Sequence, residues 1–200
     1  MELFQTSNLT LAPFIKINNW IHEAVQKGVD LPHAMNLATV DSSGQPSSRM
    51  VLLKAISDKS LIFYTDYSSK KGVEIKNNLK AALNFWWVQT NKQIRIEGTC
   101  SKTTLEESDA YFSSRPRRSQ ISAHVSKQSL LLKDYDSLLK KAKEFEEKNL
   151  GKEIRRPKNW GGYVLEPKKI EFWMNKSNRL HHREIFSLSP KGWNRSILYP

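Results

Sequence analysis

The chain has 200 residues, of which 38% are hydrophobic, and a formal net charge of +12. This length and composition are enough for one domain with a sizeable core. A single cysteine, Cys100, excludes an internal disulfide, and the five scattered histidines lack the ligand spacing of a structural zinc site. No apolar run approaches the roughly 20 residues that span a bilayer, and the first five residues lack the features of a signal peptide. We therefore expect a cytoplasmic protein with no bound metal and no membrane partner.

The positive charge is compatible with two kinds of partner. Clustered Lys and Arg neutralise nucleic-acid phosphates, and small phosphorylated ligands explain such clusters equally well. The cations form no long basic tail but occur in three short groups: Ser69-Lys70-Lys71, Arg115-Pro116-Arg117-Arg118 and Arg179-Leu180-His181-His182-Arg183. Both hypotheses stay open on charge alone.

The first predicted element is an amphipathic helix over residues 11–27, with Thr10 as its N-terminal cap. After Pro32 the pattern changes to short β-type segments separated by turn residues. The predicted strands of this part of the chain are 34–40, 48–54, 61–65, 81–88 and 93–102. We expect them to form an antiparallel meander.

Helical patterns interrupt and follow these strands. Residues 68–78 form a charged helical stretch, Thr104-Leu105-Glu106-Glu107 has the form of a capping box, and residues 134–149 are typical of an exposed amphipathic helix. Further strands are predicted at 162–165, 169–174, 184–188 and 195–199. Strands on both sides of a helical middle favour an α+β domain built on an antiparallel barrel. We expect one domain over 1–200, with an N-terminal segment and helix at 1–30 and the barrel with helical insertions at 31–200.

Several common catalytic motifs are missing from the sequence. It contains no Gly-x-Gly-x-x-Gly, no Gly-Lys-Ser/Thr phosphate loop and no Gly-x-Ser-x-Gly elbow, so nicotinamide-type Rossmann binding and serine hydrolysis lose support. Polar and cationic residues remain where strands end and helices begin, the positions from which a scaffold presents ligand contacts. This placement favours phosphate recognition.

Eight motifs in the chain carry a family resemblance. They are Arg49-Met50-Val51-Leu52-Leu53-Lys54, Phe63-Tyr64-Thr65, Ser69-Lys70-Lys71, Tyr111-Phe112-Ser113-Ser114-Arg115-Pro116-Arg117-Arg118-Ser119-Gln120-Ile121, Val125-Ser126-Lys127-Gln128-Ser129, Trp160-Gly161-Gly162-Tyr163, Ile170-Glu171-Phe172-Trp173 and Arg179-Leu180-His181-His182-Arg183. In order and spacing they resemble the motifs of pyridoxine/pyridoxamine 5′-phosphate oxidases, from about Leu31 to the C-terminus.

This resemblance implies a fold and a reaction. The expected fold is an FMN-binding split barrel, with FMN held non-covalently at the two-fold interface of a homodimer. The expected enzyme is a pyridoxal 5′-phosphate synthase that oxidises pyridoxamine 5′-phosphate or pyridoxine 5′-phosphate with molecular oxygen. It would release hydrogen peroxide, and ammonia from the amine, and nucleic acid would not be a partner. In such enzymes the cofactor supplies the redox chemistry, while the protein binds and orients it.

The resemblance also implies which residues contact FMN. They are Arg49, Met50, Val51, Leu52, Leu53, Lys54, Tyr64, Thr65, Lys70, Lys71, Gln93, Gln128, Ser129, Trp173 and Arg183. Several have a simpler alternative. Residues 50–53 and Trp173 can be core, Gln93, Gln128 and Ser129 can be ordinary surface, and Lys70 and Lys71 can lie on a solvated helix face.

For the substrate, the resemblance implies that its phosphate is held by Lys54, Tyr111, Arg115 and Ser119. The last three would share one face of a continuous helix, which Pro116 makes doubtful. An exposed basic turn is the alternative.

The segment 179–183 is implied to complete the catalytic site. Arg179 and His181 would position the substrate, with a weaker contact from the backbone of Leu180. If the segment is extended, Arg179, His181 and Arg183 share one face, whereas Leu180 and His182 point away.

One departure from the resemblance concerns Met1–Thr10. Relatives often have a longer arm with an Arg and a Tyr that close over the substrate, and this segment contains neither. We therefore expect weaker substrate binding, and so a higher Michaelis constant, than in long-armed relatives.

Two alternative functions stay open: another split-barrel flavoprotein such as a flavin reductase, and a non-catalytic nucleic-acid-binding barrel.

Overall fold

The computed structural model describes residues 4–200; Met1–Leu3, part of the segment in which the lid residues are missing, lie outside the described residues. The strands are β1 (Gln5–Thr6), β2 (Ala34–Val40), β3 (Pro46–Leu52), β4 (Ala55–Ile56), β5 (Leu61–Asp66), β6 (Lys80–Trp87), β7 (Lys92–Lys102), β8 (Trp160–Met174), β9 (His182–Ser189) and β10 (Gly192–Leu198). The α-helices are α1 (Ala12–Gln26), α2 (Lys70–Asn77), α3 (Leu105–Ser114), α4 (Arg117–Val125) and α5 (Tyr135–Lys148). Among residues 4–200, no helix is both long enough and apolar enough to cross a bilayer.

The strands form one curled sheet in the order β1-β4-β5-β8-β7-β6-β2-β3, to which β9 and β10 are added beside β8. All pairs are antiparallel except the short parallel pair of β1 and β4. The α+β class is therefore confirmed, but the predicted meander is wrong. β5 pairs with β8 instead of β6, and β2 lies between β3 and β6, because long-range pairing rather than chain order sets the neighbours.

The long strand β8 joins the two parts of the curled sheet. Its first residues pair with β5, its last residues pair with β9, and β7 pairs with it from Tyr163 to Met174. The predicted break between Leu165 and Lys169 is wrong, since the strand continues through a register shift at Glu97 and Gly98 of β7. A Cβ atom on Gly98 would lie 2.2 Å from the Glu166 carbonyl oxygen, so the close approach requires glycine.

Helix α1 closes one side of the barrel. Phe14, Ile17 and Ile21 are fully buried in the main core, as their helical spacing predicts. The predicted cap is wrong, because the N-cap residue is Leu11 and has no side-chain bond to the helix. Thr10 instead binds Asp58, whose carboxylate accepts the backbone N–H groups of Thr10 and Leu11 just before the helix.

A second core cluster holds the helical middle of the chain against β8. It consists of Phe112, Ile121, Ile154 and Trp160. Helix α3 begins with the predicted capping box, in which Thr104 and Glu107 exchange backbone and side-chain hydrogen bonds of 3.1 and 2.9 Å. Helix α5 buries no residue fully, which agrees with the predicted exposed helix.

Candidate active site

A cavity of about 340 Å³ lies between the sheet and helices α3 and α4. It brings together eleven residues that the sequence implicated, along with Pro116 and Trp160. The eleven are Met50, Val51, Leu52, Lys54, Tyr64, Thr65, Lys71, Tyr111, Arg115, Ser119 and Gln128. The implied substrate-phosphate residues and part of the implied FMN set therefore line one cavity.

Arg115 is the strongest anion-binding feature of this cavity. Its guanidinium carbon lies 4.4 Å from the centroid of the Trp160 ring, and its buried Nη1 has no hydrogen-bond partner in residues 4–200. Burial lowers the pKa of Lys54, and so does the nearby charge of Arg115. Over the same residues, neither cation forms an ion pair. A buried donor and two adjacent unpaired cations are suited to a multiply charged anion.

The chain path around Arg115 explains how Tyr111, Arg115 and Ser119 line the same cavity. Helix α3 ends at Ser114, and α4 begins at Arg117 after Pro116 as its N-cap residue. The doubt about a continuous helix is therefore confirmed. Arg115 is in an extended conformation between the two helices, and the Ser119 N–H bonds back to the Pro116 carbonyl at 2.8 Å.

An aromatic stack forms one wall of the cavity. The rings of Tyr64 and Tyr111 are stacked with centroids 3.9 Å apart, and Trp160 lies parallel to both. Burial raises the pKa of Tyr64 to about 12, so its phenol stays neutral and can donate a hydrogen bond. The role of Trp160 was not predicted, although the residue lies in a recognised motif, because its contact with Arg115 depends on tertiary packing.

A second group of cations lies at the start of α2. Lys71 is 6% exposed, and its ammonium donates to Thr65 Oγ1 at 3.1 Å, Ser69 Oγ at 3.0 Å and Gln128 Oε1 at 2.5 Å. Burial lowers its pKa to about 8, as does the charge of Arg49. The backbone N–H of Lys70 donates to Ser129 Oγ at 3.1 Å. The alternative of a solvated helix face is therefore wrong for Lys71, which is buried. It agrees with the side chain of Lys70, which is exposed.

Arg49 lies beside these lysines, and hydrogen bonds from both terminal nitrogens of its guanidinium hold it in place. Nη1 donates to Thr39 Oγ1, and Nη2 donates to Ser47 Oγ at 2.6 Å and to Glu74 at 3.2 Å. The sequence analysis missed Glu74. Its position four residues after Lys70 on a helix indicates only a weak surface ion pair, so the buried contact with Arg49 had no local signature.

The segment from Arg49 to Lys54 includes the end of β3 and contributes residues to both the cavity and the core. Leu53 is fully buried in the main core, so its side chain follows the strand-core alternative. Met50 is 62% exposed on the opposite face of the sheet. Strand pairing places Met50 beside Asn36, Asn84, Arg95 and Glu171 in one row across β3, β2, β6, β7 and β8.

The remaining implied residues form a separate group at the other end of this face. Gln93, Trp173 and Arg183 are paired neighbours on β7, β8 and β9. Arg183 donates to both carboxylate oxygens of Glu171, at 2.7 and 3.1 Å. Leu180, His181, His182 and Arg183 line a different cavity from the one around Arg115. One chain therefore keeps the two groups of implied residues apart.

The two adjacent histidines of segment 179–183 differ in environment. His181 packs on Trp173 with ring centroids 4.6 Å apart and accepts the Lys176 N–H at 3.3 Å, whereas His182 is exposed. The premise of an extended segment is wrong at Arg179, because that residue has a φ of 61° in a tight turn and β9 begins only at His182. The expected alternation is therefore lost, and Leu180 and His182 line the same cavity as His181 and Arg183.

Comparison with protein families identifies the group to which the chain is related. Residues 21–149 match the model described as pyridoxamine 5′-phosphate oxidase, and residues 160–200 match the pyridoxine 5′-phosphate oxidase C-terminal dimerisation region. The chain belongs to the pyridoxamine 5′-phosphate oxidase family. The predicted family is confirmed, and the second match supports the predicted homodimer.

Individual members of the family agree with this assignment. Proteins named pyridoxine/pyridoxamine 5′-phosphate oxidase from Rubrobacter xylanophilus and Leptospira biflexa are 42% and 44% identical to the chain. The alignments cover 94% of this chain and 87% and 89% of those proteins.

Solved structures of the family confirm the predicted split barrel. The crystal structure of PhzG from Burkholderia lata 383, in complex with tetrahydrophenazine-1-carboxylic acid, has a TM-score of 0.89 and 32% identity, covering 94% of this chain and 92% of that chain. A pyridoxamine 5′-phosphate oxidase-related, FMN-binding protein from Nostoc punctiforme has a TM-score of 0.76 at 17% identity, which supports the fold alone.

Proposed function

We propose that the protein oxidises pyridoxamine 5′-phosphate or pyridoxine 5′-phosphate to pyridoxal 5′-phosphate with bound FMN and molecular oxygen. The observation that carries this proposal is the buried, unpartnered Nη1 of Arg115 in a cavity that Lys54 also lines. A phosphate dianion satisfies that donor and both positive charges. The names of the relatives that match along 94% of the chain support the same substrate class.

The residues around Lys71 fit FMN as the cofactor. A buried ammonium, hydroxyl groups and backbone N–H groups at the start of a helix are the donors that a phosphate monoester requires. Arg49, Lys70, Lys71, Gln128 and Ser129 would hold the phosphate side of the cofactor. Bound there, FMN would supply the two-electron oxidation of the substrate, with oxygen as the final acceptor and hydrogen peroxide as its product.

The protein's own contribution is binding and orientation. Lys54, Tyr111, Arg115 and Ser119 would hold the substrate phosphate, and the aromatic stack would shield that end of the cavity from water. Arg179 and His181 would orient the pyridine ring. Because the segment 179–183 lies apart from the cavity around Arg115 in one chain, we infer that a second copy of the chain supplies these two side chains. Correct orientation of reacting groups accounts for large rate factors without a protein nucleophile.

A second candidate function is oxidation of a carboxylate substrate, because the PhzG structure holds tetrahydrophenazine-1-carboxylic acid. The two cations and the orphaned donor around Arg115 favour a dianion over a monoanionic carboxylate. A flavin reductase would bind FMN but should not need Arg115, Ser119, Arg179 and His181 together, and a nucleic-acid-binding barrel has no need of bound flavin. The cytoplasmic location stays a prediction.

The proposal is tested with purified protein and a panel of substrates. We expect a flavin absorbance spectrum with one FMN per chain, and peroxide release with pyridoxamine 5′-phosphate or pyridoxine 5′-phosphate. Faster peroxide release with tetrahydrophenazine-1-carboxylic acid would favour the second candidate. Protein without flavin and with steeply salt-dependent binding of DNA or RNA would contradict both.

We further predict that flavin retention requires the dimer, since Trp173 and Arg183 lie apart from the Lys71 group in one chain. In sedimentation experiments that record flavin absorbance, FMN is expected to sediment only with the dimer. A monomer that keeps FMN at micromolar concentration would refute the shared site.

A further inference from the structure

Glu74 is an acidic group inside a cluster of cations. It is 3% exposed on α2, and its carboxylate contacts Arg49 at 3.2 Å and Lys70 at 3.8 Å. Lys71, one turn earlier on the same helix, feels the charge of Glu74 as well as that of Arg49. Asp66 acts on Lys71 as well, but Glu74 contacts both Arg49 and Lys70. Glu74 therefore lies among the three cations that the proposed function assigns to the phosphate of FMN.

The carboxylate of Glu74 is held in the ionised form. Burial opposes its ionisation, but hydrogen bonds from Thr39, Ser47 and Arg49 outweigh that effect and lower its pKa. Ser47 Oγ lies 2.7 and 2.9 Å from the two carboxylate oxygens. The negative charge is consequently a permanent part of the cluster near neutral pH.

Arg49 does not depend on Glu74 for its position. Its Nη1 also bonds to Thr39 and to the Leu37 carbonyl, and its Nη2 also bonds to Ser47. A glutamine at position 74 would keep an oxygen that accepts from the hydroxyl groups. The electrostatic effect of Glu74 is therefore separable from the geometry of the cluster.

We propose that Glu74 is a built-in counter-anion that limits the affinity of the Arg49, Lys70 and Lys71 cluster for the phosphate of FMN. This inference rests on the proposed function. A buried negative charge stabilises the three cations and at the same time repels a phosphate dianion bound by them. The result is a cofactor site whose affinity is set below the value that its cations alone would give.

The test compares FMN with riboflavin, which has the same ring but no phosphate. Glu74→Gln is expected to tighten FMN binding about tenfold, because one repulsive charge near the dianion is removed, and to leave riboflavin binding unchanged. Dissociation constants are measured by quenching of flavin fluorescence. Glu74→Asp keeps the charge and should bind FMN as the wild type does. Glu144→Gln removes an equal charge from the exposed face of α5 and is the matched control.

The comparison separates the possible outcomes. Weaker or unchanged FMN binding by Glu74→Gln, or equal changes for FMN and riboflavin, would overturn the inference and leave Glu74 a structural residue. Wild-type protein that binds neither flavin would overturn the proposed function itself. If flavin-free Glu74→Gln does not accumulate, the FMN-loaded variant is diluted instead. Slower FMN release than from the wild type is expected, and faster release would contradict the counter-anion role.

Discussion

Replacement of Arg115 with alanine is expected to raise the Michaelis constant for pyridoxamine 5′-phosphate about 30-fold or more, which corresponds to about 2 kcal/mol. The buried Nη1 and the charge next to Lys54 would both be lost, so the substrate phosphate would lack a charge-assisted partner. FMN occupancy should hardly change, because Lys71 lines the same cavity but is held by Thr65, Ser69 and Gln128 and not by Arg115. Steady-state kinetics and the flavin spectrum of the variant measure the two effects.

Arg118→Ala provides a matched control for this experiment. Arg118 lies on α4, carries the same charge and is exposed, and it does not line the cavity. Its replacement should leave the Michaelis constant near the wild-type value. If both variants show the same loss, the effect of Arg115 is general electrostatic attraction rather than phosphate binding. Loss of FMN from Arg115→Ala would assign the residue to the cofactor.

Replacement of Arg179 or His181 with alanine is expected to reduce turnover about 10-fold or more, because small displacements of bound substrate are costly in rate. His182→Ala should remain near wild type. Both histidines line one cavity, but His181 packs on Trp173 whereas His182 is exposed, and the predicted asymmetry rests on that difference. Turnover numbers are compared at full FMN occupancy, which is verified for each variant by absorbance.

The comparison of the two histidines is decisive for the segment. A loss at His182 equal to or larger than the loss at His181 would refute the role assigned to His181. Arg179 is tested separately, because its left-handed backbone conformation was not foreseen. An unchanged turnover in Arg179→Ala would place this side chain outside the site.

Local sequence patterns predicted most elements but not their arrangement. The capping box at Thr104 and the apolar face of α1 are visible in residue patterns that repeat within a few positions, so the sequence is sufficient to predict them. The order of strands and the continuity of β8 through the bulge at Gly98 depend on pairing between distant segments. The contact of Asp58 with Thr10 and Leu11 before α1 was not foreseen for the same reason, because the carboxylate comes from a distant turn.

The candidate site was foreseen to a similar extent. The resemblance implied Lys54, Arg115 and Lys71, and the structure brings all three to one cavity. The contributions of Trp160 and Glu74 were not foreseen, because stacking on Arg115 and burial beside Arg49 arise only when helices pack on the sheet. Within one chain, Trp173 and Arg183 also lie apart from this cavity. Only the expected dimer, with FMN at its interface, accounted for such a separation in advance.

Anaerobic reduction of the bound flavin tests the central proposal most directly. FMN-loaded protein is mixed with pyridoxamine 5′-phosphate in the absence of oxygen, and the flavin absorbance is followed through one turnover. The account predicts that the flavin band is bleached with formation of one pyridoxal 5′-phosphate per FMN, that air restores the band, and that unphosphorylated pyridoxamine is far less effective. A flavin that stays oxidised with the phosphorylated substrate, or that is reduced equally well by unphosphorylated pyridoxamine, would contradict it.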